Sequence, residues 1–320
     1  MARSSFPPVT VSGVPETANA PAAGVSSHSA ALNLLITLRP GQWTKNLLVF
    51  AGVLFGRRLL EPAAVGRAVA AFAIFCALSG VVYLINDVAD RESDRQHPLK
   101  ERRPIASGAL AIPAALVTAL ILCAVGLGGA AALGWKFFAV AAAYVVLLTL
   151  YSALLKHIVI VDVLTIAAGF VLRAVAGAVA VSVEISHWLL VCTVLLALFI
   201  ALAKRRHELI LLANGATGHR PILGEYSPYL LDQMISVVTA STLVSYVFYT
   251  ISPETQDKFG TPWLGFTIPF PLYGIFRYLY LMHQREGGGS PAELLLTDRP
   301  LLVCVALWAV AIALIIYRPV

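Results

Sequence analysis

The feature that most restricts this chain is a succession of apolar runs long enough to cross a bilayer. A helix needs about 20 predominantly apolar residues to span the hydrocarbon core. Runs of that order occupy residues 41–56, 64–85, 109–132, 137–155, 159–182, 187–203, 229–251, 264–282 and 300–317. Helices close their backbone hydrogen bonds inside each segment, which lipid demands. The expected fold is all-α, a polytopic transmembrane helical bundle of about nine spans. Composition agrees, because 59% of the 320 residues are hydrophobic and 12% charged, too few polar groups to cover a water-soluble domain of this length.

Residues 1–30 are rich in Ser, Pro, Ala and Thr and hold no sustained apolar run. They are expected to form a disordered tail and lack the apolar core of a signal peptide, leaving 31–320 as the membrane domain. Cys76, Cys123, Cys192 and Cys304 lie singly inside apolar runs, and are expected to be small hydrophobes rather than disulfides or metal ligands.

Basic residues set the orientation. With the N-terminus inside, fifteen Lys and Arg fall on the cytoplasmic side and six on the other, with Arg173 and Arg277 within spans. That excess predicts a cytoplasmic N-terminus and an outside C-terminus. Both long polar loops, 86–108 and 204–228, then share the cytoplasmic face. Residues 283–299, with Gly287-Gly288-Gly289, are expected to be a flexible connection.

The second span ends in Asn86-Asp87-Val88-Ala89-Asp90-Arg91-Glu92-Ser93-Asp94. On one continuous helix Asp87, Asp90 and Asp94 would fall within about 60° of each other, and Asn86 within about 40° of Asp90. Like charges so spaced repel, and a helix C-terminus adds negative potential. A resident cation resolves the conflict; a solvated helix end is the plainer alternative. Carboxylate and amide oxygens suit Mg²⁺, which uses one or two carboxylates together with substrate phosphates.

Asn86-Asp87-x-x-Asp90-x-x-x-Asp94 precedes Arg102-Arg103-Pro104-Ile105-Ala106-Ser107-Gly108. The pairing resembles the UbiA superfamily of intramembrane prenyltransferases, over most of residues 35–317. The resemblance implies a bundle around a central cavity, open to the cytoplasm and laterally to lipid, with Mg²⁺ and a diphosphate held near the cytoplasm. The Asp-Gly and Ala-Arg dipeptides that CDP-alcohol phosphotransferases carry around their acids are absent around these.

Members that prenylate aromatic rings carry a second DxxxD motif after the sixth span. Here the chain reads Ala203-Lys204-Arg205-Arg206-His207-Glu208-Leu209. Base replaces acid, so a metal-free anion site is expected, or else a positive-inside anchor. Lys204, His207 and Glu208 share a face at i, i+3, i+4, with Arg205 and Arg206 pointing elsewhere. Tyr151, Lys156, Asp162 and Arg173 form a further set. If one helix holds Asp162 and Arg173, they lie within about 20° on one face and roughly 16 Å apart along it. Ionisable residues at that depth face a cavity or a partner, and for Arg173 an ion pair is the plain reading. Span one opens Arg39-Pro40-Gly41-Gln42-Trp43-Thr44-Lys45-Asn46, where Arg39 and Lys45 either snorkel to the interface or meet a lipid phosphate.

The RP-x-QW-x-KN opening, the single Asp motif, the YS-x-LLK…VDV…GFVLR run and the KRRHE segment together resemble one subgroup, the decaprenyl-phosphate phosphoribosyltransferases. These move phosphoribose from phosphoribosyl pyrophosphate (PRPP) onto a polyprenyl phosphate. The resemblance implies Mg²⁺ on Asn86, Asp87, Asp90 and Asp94. Asp87, Asp90, Lys156 and Asp162 would be the catalytic set. Lys45, Asn86, Arg102, Arg103, Tyr151, Arg173, Lys204, Arg205, His207 and Glu208 would bind substrate. Expected partners are PRPP, a polyprenyl phosphate, the plasma (inner) membrane and a homo-oligomeric copy, a trimer by resemblance, with no nucleic acid. The rival readings are an aromatic prenyltransferase, disfavoured by the missing second acidic motif, and a transporter, disfavoured by acids that crowd one interface rather than the midplane.

Overall fold

A computed structural model describes residues 29–97, 100–213, 221–284, 294 and 297–317. The tail expected over 1–30 lies outside them except at its last two positions, as does Gly287-Gly288-Gly289. The described residues form helices and turns, without strands. Helix α1 (Ala30–Leu38) leads into a 3-10 helix, Pro40–Phe50, and then α2 (Ala51–Phe55). There follow α3 (Pro62–Ala89), α4 (Arg91–Arg95), α5 (Ile112–Leu133), α6 (Trp135–Ala153), α7 (Val161–Ala180) and α8 (His187–Ala213). The chain continues through α9 (Pro228–Ile251), α10 (Pro253–Phe259), α11 (Pro269–Gln284) and, numbered next here, α12 (Arg299–Ile316).

Seven of these helices, α3, α5 to α9 and α12, are long and apolar enough to cross a membrane. Two of the expected spans are built differently. Residues 41–56 are not one α-helix but the 11-residue 3-10 segment followed by the five-residue α2. Residues 264–282 divide into a 3-10 turn, Trp263–Thr267, and the 16-residue α11. Pro40 opens the first of these breaks, after Arg39 takes the left-handed conformation (φ 53°). A 3-10 run of that length is unusual and marks a segment shaped by its packing. A Cβ placed on Gly177 would stand 1.9 Å from the Val49 carbonyl oxygen. The 3-10 segment and α7 therefore meet backbone to backbone, which only glycine permits.

Small residues do similar work elsewhere. Buried Ala115, Ala119, Gly126 and Ala130 form one stripe of α5, while Leu120 and Val125 on its other side are 72% and 65% exposed. A narrow stripe of small residues against α3, with large apolar groups turned outward, is how helices associate in lipid. At the end of the bundle away from the acidic motif, Arg67 donates to the Ala180 and Leu133 carbonyls at 2.6 and 2.9 Å. It thereby satisfies acceptors left over at the C-terminal ends of α7 and α5. Because the long helices alternate in direction, the ends of α3, α6 and α8 and the starts of α7 and α9 gather at the opposite pole.

Candidate active site

That pole carries the acids. α3 stops at Ala89, and Asp90 takes φ −91°, ψ 4° before α4 begins. The hydrogen-bond ladder nonetheless runs on, Asp90 N–H donating to the Asn86 carbonyl and Asp94 N–H to the Asp90 carbonyl, each at 2.8 Å, while the acids take different partners. Asp87 accepts from Arg39 Nη2 at 2.5 Å and from Arg103 Nη1 at 3.2 Å. The same Arg103 nitrogen donates to Asp94 at 2.7 Å. Asp90 instead meets Lys156 Nζ at 2.5 Å. The loop holding Arg103 is tied down by Arg91 and Arg95, which donate to the Ile105 and Ala106 carbonyls. Gly108 (φ 84°) closes it. Arg39 also lies over the Tyr83 ring, 4.9 Å from its centroid.

Asp87 and Asp94 thus converge on one cationic centre, with their side chains 3% and 4% exposed. Two hard carboxylates around a shared positive charge fit a divalent ion that completes its shell with water and phosphate. No group of three or more His, Cys, Asp or Glu among the described residues is arranged to hold a metal. Of the four residues expected to hold the ion, Asp87 and Asp94 share Arg103, Asp90 meets Lys156, and Asn86 is partly buried one residue before Asp87.

A second knot lies at the α6–α7 connection. Asp162 is wholly buried and Arg205 nearly so, and they pair with each other, Arg205 Nε to Oδ2 at 2.8 Å. Tyr226 Oη donates to Asp162 Oδ1 at 2.8 Å and accepts the Ile160 N–H at 2.7 Å. Arg205 also donates to Glu208 at 2.7 Å and to Tyr151 Oη at 3.3 Å. Burial pushes the Tyr226 hydroxyl up to about 12, so it stays a donor. Asp162, expected in the catalytic set, and Arg205, expected to bind substrate, are thus paired with each other. Glu208, set beside the basic cluster, is paired with Arg205 as well. Lys204 stands 3.9 Å from Glu208, and His207 is partly buried on the same turn.

Deeper in the bundle Arg173 is 5% exposed and lies on α7 with Asp162, yet its partners are neutral. It donates to Asn46 Oδ1 at 2.7 Å, the Gly169 carbonyl at 2.9 Å and Tyr144 Oη at 2.6 Å. The ion pair considered for it is replaced by these dipoles and by the Tyr144 ring, 4.7 Å away. Lys45 is adjacent to Asn46, and its charged neighbours are Lys204, Arg173 and Arg39. Among the described residues it makes no hydrogen bond or ion pair. Arg102 is exposed.

Below this basic region lies an apolar cavity of about 430 Å³ between α2, α7, α8, α9, α11 and α12. Leu48, Gly52, Ala174 and Ala178 carry its wall on from Lys45 and Arg173. Two buried hydroxyls that line it, Ser186 Oγ and Tyr278 Oη, have no hydrogen-bond partner among the described residues.

Three participants escaped the sequence: Arg39 as a partner of Asp87, Tyr144 as a partner of Arg173, and Tyr226. Arg39 could have been inferred from Arg-Pro at the mouth of a span. Tyr226 carries no local signal, since its partners are 64 and 66 residues away.

Residues 46–294 match the UbiA prenyltransferase family. A Corynebacterium glutamicum protein named decaprenyl-phosphate phosphoribosyltransferase is 32% identical, covering 89% of this chain and 86% of that protein. A Mycolicibacterium smegmatis protein of the same name is 32% identical over 89% of this chain and 92% of its own length. The structure of a UbiA homolog from Archaeoglobus fulgidus bound to GPP and Mg²⁺ superposes with a TM-score of 0.69 at 21% identity, covering 89% of this chain and 99% of that one.

Proposed function

Because the chain belongs to the UbiA prenyltransferase family, we propose that it is a membrane pentosyltransferase moving 5-phosphoribose from PRPP to a decaprenyl-type polyprenyl phosphate. Diphosphate is released and polyprenyl-phosphoryl-5-phosphoribose is formed. The observation that carries this reading is the convergence of Asp87 and Asp94 on one cation beside a surplus of basic groups. The names of the full-length relatives support the donor and acceptor.

Asp87 and Asp94 would hold Mg²⁺, with Asn86 and Asp90 at hand. When bound, the ion supplies charge neutralisation for a departing diphosphate. Arg103 and Lys156 then exchange carboxylate partners for phosphate oxygens, as charge-assisted donors suited to them. An acceptor phosphate is already ionised at neutral pH, so its oxygen attacks C1 of the ribose without a general base. The C1–O bond to diphosphate breaks as the new one forms, with inversion. Lys45, with Arg173 and Lys204 behind it, is the candidate for the acceptor's phosphate, and the apolar cavity receives the first isoprene units.

The protein is placed in the plasma membrane, and the basic excess supports putting this pole and the N-terminus in the cytoplasm. Purified protein with Mg²⁺, radiolabelled PRPP and a polyprenyl phosphate should yield lipid-extractable label. Turnover of a prenyl diphosphate with an aromatic acid, and no labelled lipid, would overturn the proposal.

A further inference from the structure

The connection between α6 and α7 is strained where it leaves Lys156. After a 3-10 turn, Leu155–His157, the chain extends through Ile158 and then reverses at Ile160, with φ 69° and ψ −43°. The Val161 N–H donates to the Val159 carbonyl at 2.8 Å, closing a γ-turn of the rare positive-φ kind. A β-branched residue in that region is an outlier that persists only where the surroundings over-determine it. Here they do. Ile160 N–H is held by Tyr226 Oη, Tyr226 by Asp162, and Asp162 by Arg205. Tyr226 is 4% exposed and follows the short 3-10 segment Pro221–Glu225, so it is delivered from a separate part of the chain. Four residues before the strained turn, Lys156 reaches across to Asp90.

We propose that Tyr226 is a positioning residue for Lys156: its hydroxyl, backed by Asp162 and Arg205, clamps the 158–161 turn and so fixes the ammonium against Asp90. Buried charge at Asp162 and Arg205 is then explained without either touching substrate. The clamp also joins the loop after α8 to the acid-bearing end of α3, through a contact that neither segment makes directly.

That Lys156 matters for turnover rests on the function proposed above, so the test has one readout that does not. Tyr226→Phe removes a single oxygen and keeps the ring. In that variant, acetylation of Lys156 followed by mass spectrometry should proceed at least about threefold faster than in the wild type, because the ammonium is released from its carboxylate. An unchanged acetylation rate overturns the proposal, whatever happens to activity. In the turnover assay Tyr226→Phe should lose about tenfold in kcat. In a Lys156→Ala background the same change should cost less than about twofold, since residues acting as a unit are non-additive. Equal losses in both backgrounds would mean a general structural role and would also overturn it. A wild-type protein that makes no labelled lipid would sink the proposed reaction, while the acetylation rates would still decide the clamp.

Discussion

At Asp87 two guanidinium groups, from Arg39 and Arg103, meet one carboxylate that is almost wholly buried. Asp87→Asn leaves those cations facing each other. Because both arginines are more than a quarter exposed, solvent screens much of the repulsion, and a stability loss of about 1–3 kcal/mol is expected as a lower thermal midpoint in detergent. Mg²⁺-dependent turnover should fall by at least about 100-fold, the scale seen when a preorganised charge contact is lost. Lys45 gives a different signature. As Lys45 has no partner among the described residues, Lys45→Gln should leave folding intact and raise the acceptor KM about tenfold, the worth of one charge-assisted hydrogen bond. An unchanged acceptor KM, or a PRPP KM that rises instead, would remove Lys45 from the lipid-phosphate site.

The elements show what a sequence can and cannot declare. Apolar length foretold α3, α5 to α9 and α12, because lipid leaves the backbone little choice but to close on itself. The same argument missed the break in the first span, where Pro40 and the close approach of Val49 to Gly177 decide the geometry. Nor could it tell which cation each acid meets, Arg103 for Asp87 and Asp94 and Lys156 for Asp90. Helical phase places residues on a face only while the helix runs on. The acids and Lys156 were legible as candidates by type and position, whereas the Tyr226 clamp rests on contacts more than 60 residues apart. The glycine contact is testable. Gly177→Ala should cost about 1–3 kcal/mol through forced separation of backbones, seen as a lower thermal midpoint with loss of lipid-acceptor turnover. A wild-type midpoint would mean that α7 and the 3-10 segment part easily.

Across the whole molecule, a polar pole of paired acids and bases sits at one end of the long helices, and an apolar cavity lies between the helices beyond it. This division suits a reaction between a water-soluble phosphorylated donor and a lipid whose tail never leaves hydrocarbon. The orientation proposed from the basic excess is tested by single cysteines. In a background without the four native cysteines, a membrane-impermeant maleimide should label Lys100→Cys from the cytoplasmic side only and Lys258→Cys from the other. The reverse pattern would invert the topology. The most direct measurement of the central claim is PRPP binding by calorimetry to the detergent-solubilised wild type and Asp87→Ala, each with and without Mg²⁺. Binding that requires Mg²⁺ and disappears in Asp87→Ala is the predicted result; tight PRPP binding by Asp87→Ala, or binding indifferent to Mg²⁺, would contradict it.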